Sequence, residues 1–196
     1  MVKIISLGSV LLLLLGGCGE FQDLPPKVSN GNGGTVGAGS SYPQEDDDSN
    51  WKYRSVSNDD GIFSLSATID ATNTYTVPRY PNLKQRSWIE LEKRKMAAGT
   101  ISKRFTIFAP EQVKCTPSCD IRIKFNGGIS AYSFSQRVNG VLTPSSDQIS
   151  AELFDRTTRS NSATIYLPIV GLSDVVESDF NLKGYDERKM TFDIEQ

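Results

Sequence analysis

Ile121-Arg122-Ile123-Lys124-Phe125 is followed by Asn126-Gly127-Gly128 and then by a second alternating run that contains Tyr132 and Phe134. Apolar side chains occupy every second position of both runs, which places them on one face of a β-strand. An Asn-Gly pair between two such runs is typical of a tight hairpin turn. This stretch therefore predicts two antiparallel strands that share one buried face.

The same alternation recurs on both sides of this hairpin. Ser64–Ile69 alternates apolar and polar residues, as do Met190, Phe192 and Ile194 near the C-terminus, and Asn139-Gly140 marks a further turn. Repeated short strands separated by turns are typical of antiparallel sheets. We therefore expect strands at each of these places, the last of them closing the domain.

Helical spacing of apolar residues is rare. Ser146–Arg156 has it, with Asp147 near the expected N-terminal cap, whereas Trp88–Ala98 fits either a helix or a strand. The sequence predicts a mainly β fold, either an antiparallel sandwich or a small barrel, with one or two short helices.

The N-terminus has the composition of an export signal. Lys3 precedes the apolar run Ile4–Leu15, and two glycines then lead to Cys18. A run of about a dozen apolar residues is too short for a permanent membrane span but is usual in a signal peptide. An ordinary secretory signal with an incidental cysteine is the alternative, but no A-x-A-like cleavage site is present to favour it.

Leu15-Gly16-Gly17-Cys18 resembles the lipobox of bacterial prolipoproteins. The resemblance implies cleavage before Cys18, attachment of diacylglycerol to its sulfur, and acylation of the new amino group by a fatty acid such as palmitate. Several acyl chains together anchor a protein stably to a membrane. In a Gram-negative host, Gly19 at the next position implies an outer-membrane lipoprotein, and the periplasm is the side that we expect the domain to face.

Residues 18–50 form a predicted lipid-anchored flexible linker. They contain few apolar side chains, and six acidic residues oppose Lys27 as the only basic one. Such a composition cannot bury enough apolar surface to fold. Glu45–Asp48 lacks the alternating ligand spacing of a calcium loop, which favours a solvated charge run. The predicted organisation is a signal peptide at 1–17, the linker at 18–50 and a β-rich domain at 51–196.

Charge and composition exclude several classes of function. The chain has a formal net charge of −2 and no histidine. A domain close to neutrality gives no electrostatic reason to expect nucleic-acid binding. The absence of histidine excludes Ser-His-Asp and Cys-His catalysis and histidine-ligated metals. We therefore predict no cofactor, no metal and no nucleic-acid partner.

Cys115 and Cys119 are the two cysteines that remain once Cys18 is assigned to lipid. In an exported protein, such a close pair predicts a disulfide. A redox-active pair is the alternative, but such pairs usually open a helix, and here an alternating strand follows. Two thiolates without histidine also make a poor structural metal site.

The half of the chain from about residue 100 to 196 also resembles small β-domains of uncharacterised secreted bacterial proteins. The shared features are the Cys115–Cys119 turn, the alternating strand that ends in Phe125-Asn126-Gly127-Gly128, and a closing strand such as Met190–Asp193. The resemblance implies a β fold and no particular function.

Charged side chains supply the remaining candidate sites. Lys84-Gln85-Arg86, Lys93-Arg94-Lys95 and Arg122 with Lys124 could form a basic patch, but Glu90 and Glu92 interrupt it. We interpret these residues as a solvated outer sheet face. Carboxylates are the only acid–base candidates: Asp59, Asp60, Glu90, Glu92, Asp147, Glu152, Asp155, Asp174, Glu177, Asp179, Asp186, Glu187 and Asp193.

Aromatic residues are concentrated in the first part of the domain, at Trp51, Tyr53, Tyr75, Tyr80 and Trp88. Aromatics are enriched at interfaces, but they also fill β cores, and that is the interpretation we adopt.

These observations predict a non-enzymatic envelope lipoprotein whose domain binds another envelope protein, as part of a secretion, conjugation or surface assembly. An immunity or exclusion lipoprotein is a variant of this hypothesis. The alternatives of another class are a glycan or peptidoglycan hydrolase, which needs two carboxylates facing each other across a cleft, and a small-ligand carrier, which needs an enclosed apolar cavity.

Overall fold

The computed structural model describes residues 50–57, 63–96 and 98–192. The strands in these ranges are β1 (Lys52–Ser57), β2 (Phe63–Asp70), β3 (Tyr75–Val77), β4 (Tyr80–Gln85), β5 (Trp88–Lys95), β6 (Ile101–Phe108), β7 (Ser118–Phe125), β8 (Gly128–Val138), β9 (Val141–Pro144), β10 (Ser162–Leu167) and β11 (Val176–Asn181). One α-helix, α1, covers Asp147–Arg159, and a 3₁₀ helix covers Glu187–Met190.

Nine of these strands form one sheet, in the order β1-β2-β5-β6-β9-β8-β7-β10-β11, and β3 and β4 pair separately. Every pair of neighbouring strands is antiparallel. The prediction of a mainly β, antiparallel fold is confirmed. Within the described ranges the sheet keeps two unpaired ends, so it is not a closed barrel, and the arrangement is consistent with a sandwich.

The predicted hairpin turns are confirmed. Asn126 and Gly127 join β7 to β8 with φ angles of 46° and 98°, the left-handed backbone that a two-residue turn requires. Gly140 lies between β8 and β9 with φ 76°. A Cβ atom at Gly140 would lie 2.1 Å from the carbonyl oxygen of Ala109. Glycine is therefore required there both by backbone angle and by space.

The two ends of the large sheet are joined by bonds from the loop that follows β2 to β11. The Thr72 amide donates to the carbonyl of Asp179 at 2.7 Å. The Asn73 side chain donates to the carbonyl of Glu177 at 2.7 Å and accepts from the Asp179 amide at 2.9 Å. Because β2 and β11 lie near opposite ends of the strand order, these bonds curl the sheet around its core.

The helix α1 begins where the sequence predicts and runs three residues further, to Arg159. The Ser146 hydroxyl caps it by accepting from the Ile149 amide at 3.2 Å. Leu153 and Phe154 are buried under it, and the Ser150 hydroxyl accepts from the Phe105 amide of β6 at 2.9 Å. No helix in the described ranges is long and apolar enough to cross a membrane.

The predicted strand at the C-terminus is wrong. Met190 ends the 3₁₀ helix, in which the Asp186 carboxylate accepts from the Arg188 amide at 3.0 Å and the Thr191 hydroxyl donates to the carbonyl of Glu187 at 2.9 Å. These local bonds hold a tight turn, and Met190 alone enters the core. Ile194, the last residue of the predicted strand, lies outside the described residues.

Candidate ligand-binding groove

One face of the hairpin formed by β5 and β6 changes character along its length. Ile89 and Leu91 of β5 are fully buried on the inward face. Alternate residues of a strand share a face, so Lys93 and Lys95 continue this face, and Lys103 of β6 lies opposite Lys93. The inward face therefore begins apolar and ends cationic.

This cationic end lines two adjoining cavities that share Lys103 and Glu187. We call them together the lysine groove. The larger cavity has a volume of about 570 Å³, and its walls include Lys93, Lys95, Ile101, Met190 and Phe192. The smaller has a volume of about 370 Å³, and its walls include Phe154, Asp155, Arg159 and Tyr185. Strands, α1 and the segment around the 3₁₀ helix thus each contribute a wall.

Two lysines of the groove are held by carboxylates and by one aromatic ring. Lys93 is only 8% exposed and forms an ion pair with Glu187. Lys103 Nζ lies 2.7 Å from Asp155 Oδ1. Both ammonium groups also lie over the Phe154 ring, at 5.8 and 5.5 Å from its centroid. A lysine taken out of water needs such partners, so the groove keeps its positive charges at a fixed place.

The other two cations of the groove are available to a ligand. Lys95 and Arg159 form no ion pair with any residue in the described ranges. Ile101 at the rim is 53% exposed. A groove that combines uncompensated positive charge with apolar walls suits a ligand that carries both carboxylates and apolar side chains.

Two aromatic side chains pack against Tyr185, which lines the smaller cavity. The Trp51 ring contacts Tyr185 edge-on, with centroids 5.4 Å apart. The Tyr53 hydroxyl accepts from the Asp186 amide at 2.6 Å, which fixes the backbone next to Glu187. Burial, together with the Glu187 carboxylate, raises the pKa of Tyr185, so its hydroxyl remains protonated at neutral pH.

The sequence interpretation of Lys93-Arg94-Lys95 as part of a solvated outer face is wrong for Lys93. Arg94 does point outward and binds Glu92 at 3.1 Å, but Lys93 and Lys95 lie on the opposite face. The three residues do not form one charge cluster, because successive side chains of a strand point to opposite faces. The groove could have been predicted from the spacing of Leu91 and Lys93, because residues two apart in a strand lie on the same face.

The structure joins Cys115 and Cys119 in a disulfide, with their Cα atoms 4.8 Å apart. The Lys114 amide donates to the carbonyl of Pro168 at 2.7 Å, so the bridged turn is tied to the segment that follows β10. Neither cysteine lines the lysine groove. Cys18, the predicted lipidation site, lies outside the described residues.

The candidate carboxylates are distributed among several elements, and two of them, Asp155 and Glu187, line the smaller cavity together. Glu90 and Glu92 lie two residues apart on the outward face of β5, where burial and the neighbouring Glu92 raise the pKa of Glu90. Side chains on one face of one strand point the same way, so these two do not face each other across a cleft. Asp59, Asp60 and Asp193 lie outside the described residues. The described ranges contain no cluster of three or more potential metal-ligating side chains.

The aromatic residues near the start of the domain differ in their burial and in their contacts. Trp51 is buried in the core, as expected, and its Nε1 donates to the carbonyl of Leu182 at 3.1 Å. Trp88 instead stacks on Phe108, with ring centroids 4.8 Å apart. Tyr80 is exposed, so the core interpretation is wrong for that residue.

The chain matches no protein-family model, no curated protein and no solved structure.

Proposed function

We propose that this chain is an exported, lipid-anchored binding module of the bacterial envelope rather than an enzyme. Residues 1–17 direct export, Cys18 carries the lipid, residues 18–50 serve as the tether, and the domain binds another envelope protein in the lysine groove. The lipobox resemblance supports the anchor, and Gly19 supports outer-membrane attachment in a Gram-negative host, with the domain facing the periplasm. The groove supports the role of the domain.

One observation carries the role of the domain: Lys93 is 8% exposed on an inward strand face that is otherwise apolar up to Leu91. Its partner Glu187 is 62% exposed, and an ion pair with an exposed member adds little to the stability of a fold. Stability alone therefore gives no reason for Lys93 and Glu187 to occupy this place. A fixed positive charge at the floor of an open groove has a reason if the groove binds negative groups.

The expected partner presents a segment with acidic and apolar side chains. Acidic groups would meet Lys95 and Arg159, and apolar groups would meet Ile101 and Phe192. Complementary charge selects the partner and speeds its encounter, while apolar contact slows its release. An immunity or exclusion lipoprotein would use the same groove on a toxin or a receptor.

Site-specific photo-crosslinking in the native bacterial cell tests this proposal. A photoreactive amino acid replaces Ile101 at the groove, and in a matched control it replaces Ile129. These residues are 53% and 56% exposed, both are isoleucines on strands, and only Ile101 lines the groove. We expect a discrete protein adduct from position 101, weakened by Cys18→Ser because the anchor sets the location.

Equal adducts from both positions, or none from position 101, would contradict the proposed binding module. A glycan adduct at position 101 without a protein adduct would also contradict it and would favour the hydrolase alternative.

A further inference from the structure

The acidic run of the linker, Glu45–Asp48, ends three residues before Trp51. Trp51 is 4% exposed and is fixed by its hydrogen bond to the carbonyl of Leu182. Its ring contacts Tyr185, which lines the smaller cavity of the lysine groove. The linker therefore joins the domain directly beside the groove.

The end of α1 lies at the same place. The Leu182 amide donates to the carbonyl of Asn161 at 3.0 Å, and Asn161 follows Arg159 by two residues. Arg159 lines the smaller cavity and has no ion pair in the described part of the chain. Two hydrogen bonds thus link Trp51, through Leu182, to Asn161, which lies two residues after the uncompensated cation.

The run is within reach of this cation. At roughly 3.4 Å per extended residue, Asp48 can lie up to about 10 Å from the Cα atom of Trp51, and Glu45 up to about 20 Å. A short linker holds its segment at an effective concentration of the order of millimolar. Four consecutive carboxylates would therefore compete well for two cations that no described acidic group neutralises.

We propose that Glu45–Asp48 binds within its own chain at the Arg159 end of the lysine groove and occupies it until a partner displaces the run. This inference rests on the proposed function for its biological meaning, because it describes how the same groove is regulated. The docking itself is a property of the chain alone.

Zero-length carbodiimide coupling of the full-length chain, purified in detergent, measures the docking. The Arg159→Lys variant supplies a reactive amine at the expected position. We expect amide links between Glu45–Asp48 and position 159 or Lys103, at a yield that does not depend on protein concentration and falls in about 1 M salt, where screening is strong. Links between Lys103 and Asp155, which are already in contact, serve as the positive control.

Glu20 and Asp23 are the matched acidic controls, since they belong to the same linker but lie far from Trp51 in sequence. They should give few links to the groove. Links from Glu45–Asp48 to Lys52 alone, or equal linking by Glu20 and Asp23, would overturn the proposal.

A synthetic peptide that copies residues 43–50 provides the second measurement. We expect it to bind about tenfold more tightly to a chain carrying Glu45→Gln, Asp46→Asn, Asp47→Asn and Asp48→Asn than to the unaltered chain, a size usual for competition between linked sites. The measurement is fluorescence anisotropy of the labelled peptide, with its amide counterpart as control. Equal affinity for both chains overturns the proposal.

The two proposals fail differently. If position 101 captures a partner in cells but the neutralised run leaves the adduct yield unchanged, the self-docking is wrong and the binding module stands. If the carbodiimide links form but position 101 captures nothing, the docking stands and the proposed function is wrong.

Discussion

Two hairpins of the same sheet follow the same alternation and use it differently. In the hairpin of β7 and β8, the inward residues Ile121, Ile123 and Phe125 are buried along the whole strand. In β5, the inward face is apolar up to Leu91 and carries lysine at positions 93 and 95. Alternation thus fixes which way a side chain points, whereas residue type decides whether that place is core or binding surface.

The largest effect is expected where the first hairpin is purely core. Ile123→Ala removes a fully buried side chain, and we expect the free energy of unfolding to fall by about 3 kcal/mol. Urea denaturation of the detergent-solubilised chain gives this value. A matched substitution at an exposed strand residue, Ile129→Ala, should change the free energy by less than about 0.5 kcal/mol. Equal losses at both positions would contradict the assigned core.

Lys93 lies where the inward face of β5 changes from core to groove. Lys93→Ala should lower the free energy of unfolding by about 2 kcal/mol, because it removes the buried aliphatic part of the side chain and leaves a cavity. Lys93→Met keeps the volume, and we expect a loss below about 1 kcal/mol. The same urea titration measures both. A loss for Lys93→Met as large as that for Lys93→Ala would show that the charge itself stabilises the fold.

A buried hydroxyl at the apolar end of β5 gives a smaller, pH-dependent effect. The Tyr75 hydroxyl lies 3.1 Å from the Ser87 hydroxyl, and burial, with a further contribution from Glu111, raises the pKa of Tyr75 from 10 to about 12. The folded chain then holds this proton more tightly than the unfolded chain. Its stabilising contribution is therefore complete below pH 10 and is lost as the pH rises through about 12.

Tyr75→Phe should lower the free energy of unfolding by about 1 kcal/mol at neutral pH through the lost hydrogen bond, and should reduce its decline between pH 10 and 12. Urea denaturation at a series of pH values checks both. An unchanged alkaline decline would show that other groups cause it.

The smallest effect on stability is expected at the cationic end. Lys95→Ala should change the free energy of unfolding by less than about 0.5 kcal/mol, because Lys95 has no ion pair among the described residues. The same variant should reduce the partner adduct formed from position 101. A large fall in the free energy of unfolding would show that Lys95 contributes to the core and is not a free side chain of the groove.

The sequence could predict what depends on neighbouring residues. The strand Ile121–Phe125, the turn at Asn126 and the helix after Ser146 each carry a local signal of alternation, turn residue or cap. The strand order could not be predicted, because it depends on pairings between strands that are far apart in the sequence, such as Ile123 of β7 with Ile165 of β10. The prediction of a C-terminal strand is wrong because Asp186 caps a 3₁₀ helix that ends at Met190. The alternation of apolar residues from Met190 onward gives no sign of this cap.

The groove lies between these cases. One wall of the groove could be predicted from the sequence, because Lys93 and Lys95 lie at alternate positions after Leu91 and therefore share its strand face. The approach of Arg159 and Glu187 from distant parts of the chain exists only in the fold.

The most direct test of the lysine groove is a pair of charge reversals with equal change in net charge. Lys95→Glu with Arg159→Glu reverses the two available cations of the groove, and Lys84→Glu with Lys124→Glu reverses two lysines that do not line it. The yield of the partner adduct from position 101 is measured in both backgrounds, with chain abundance as the reference. We predict that the groove reversal reduces this yield at least tenfold, while the control reversal leaves it within a factor of two. Equal yields in both backgrounds would contradict the account.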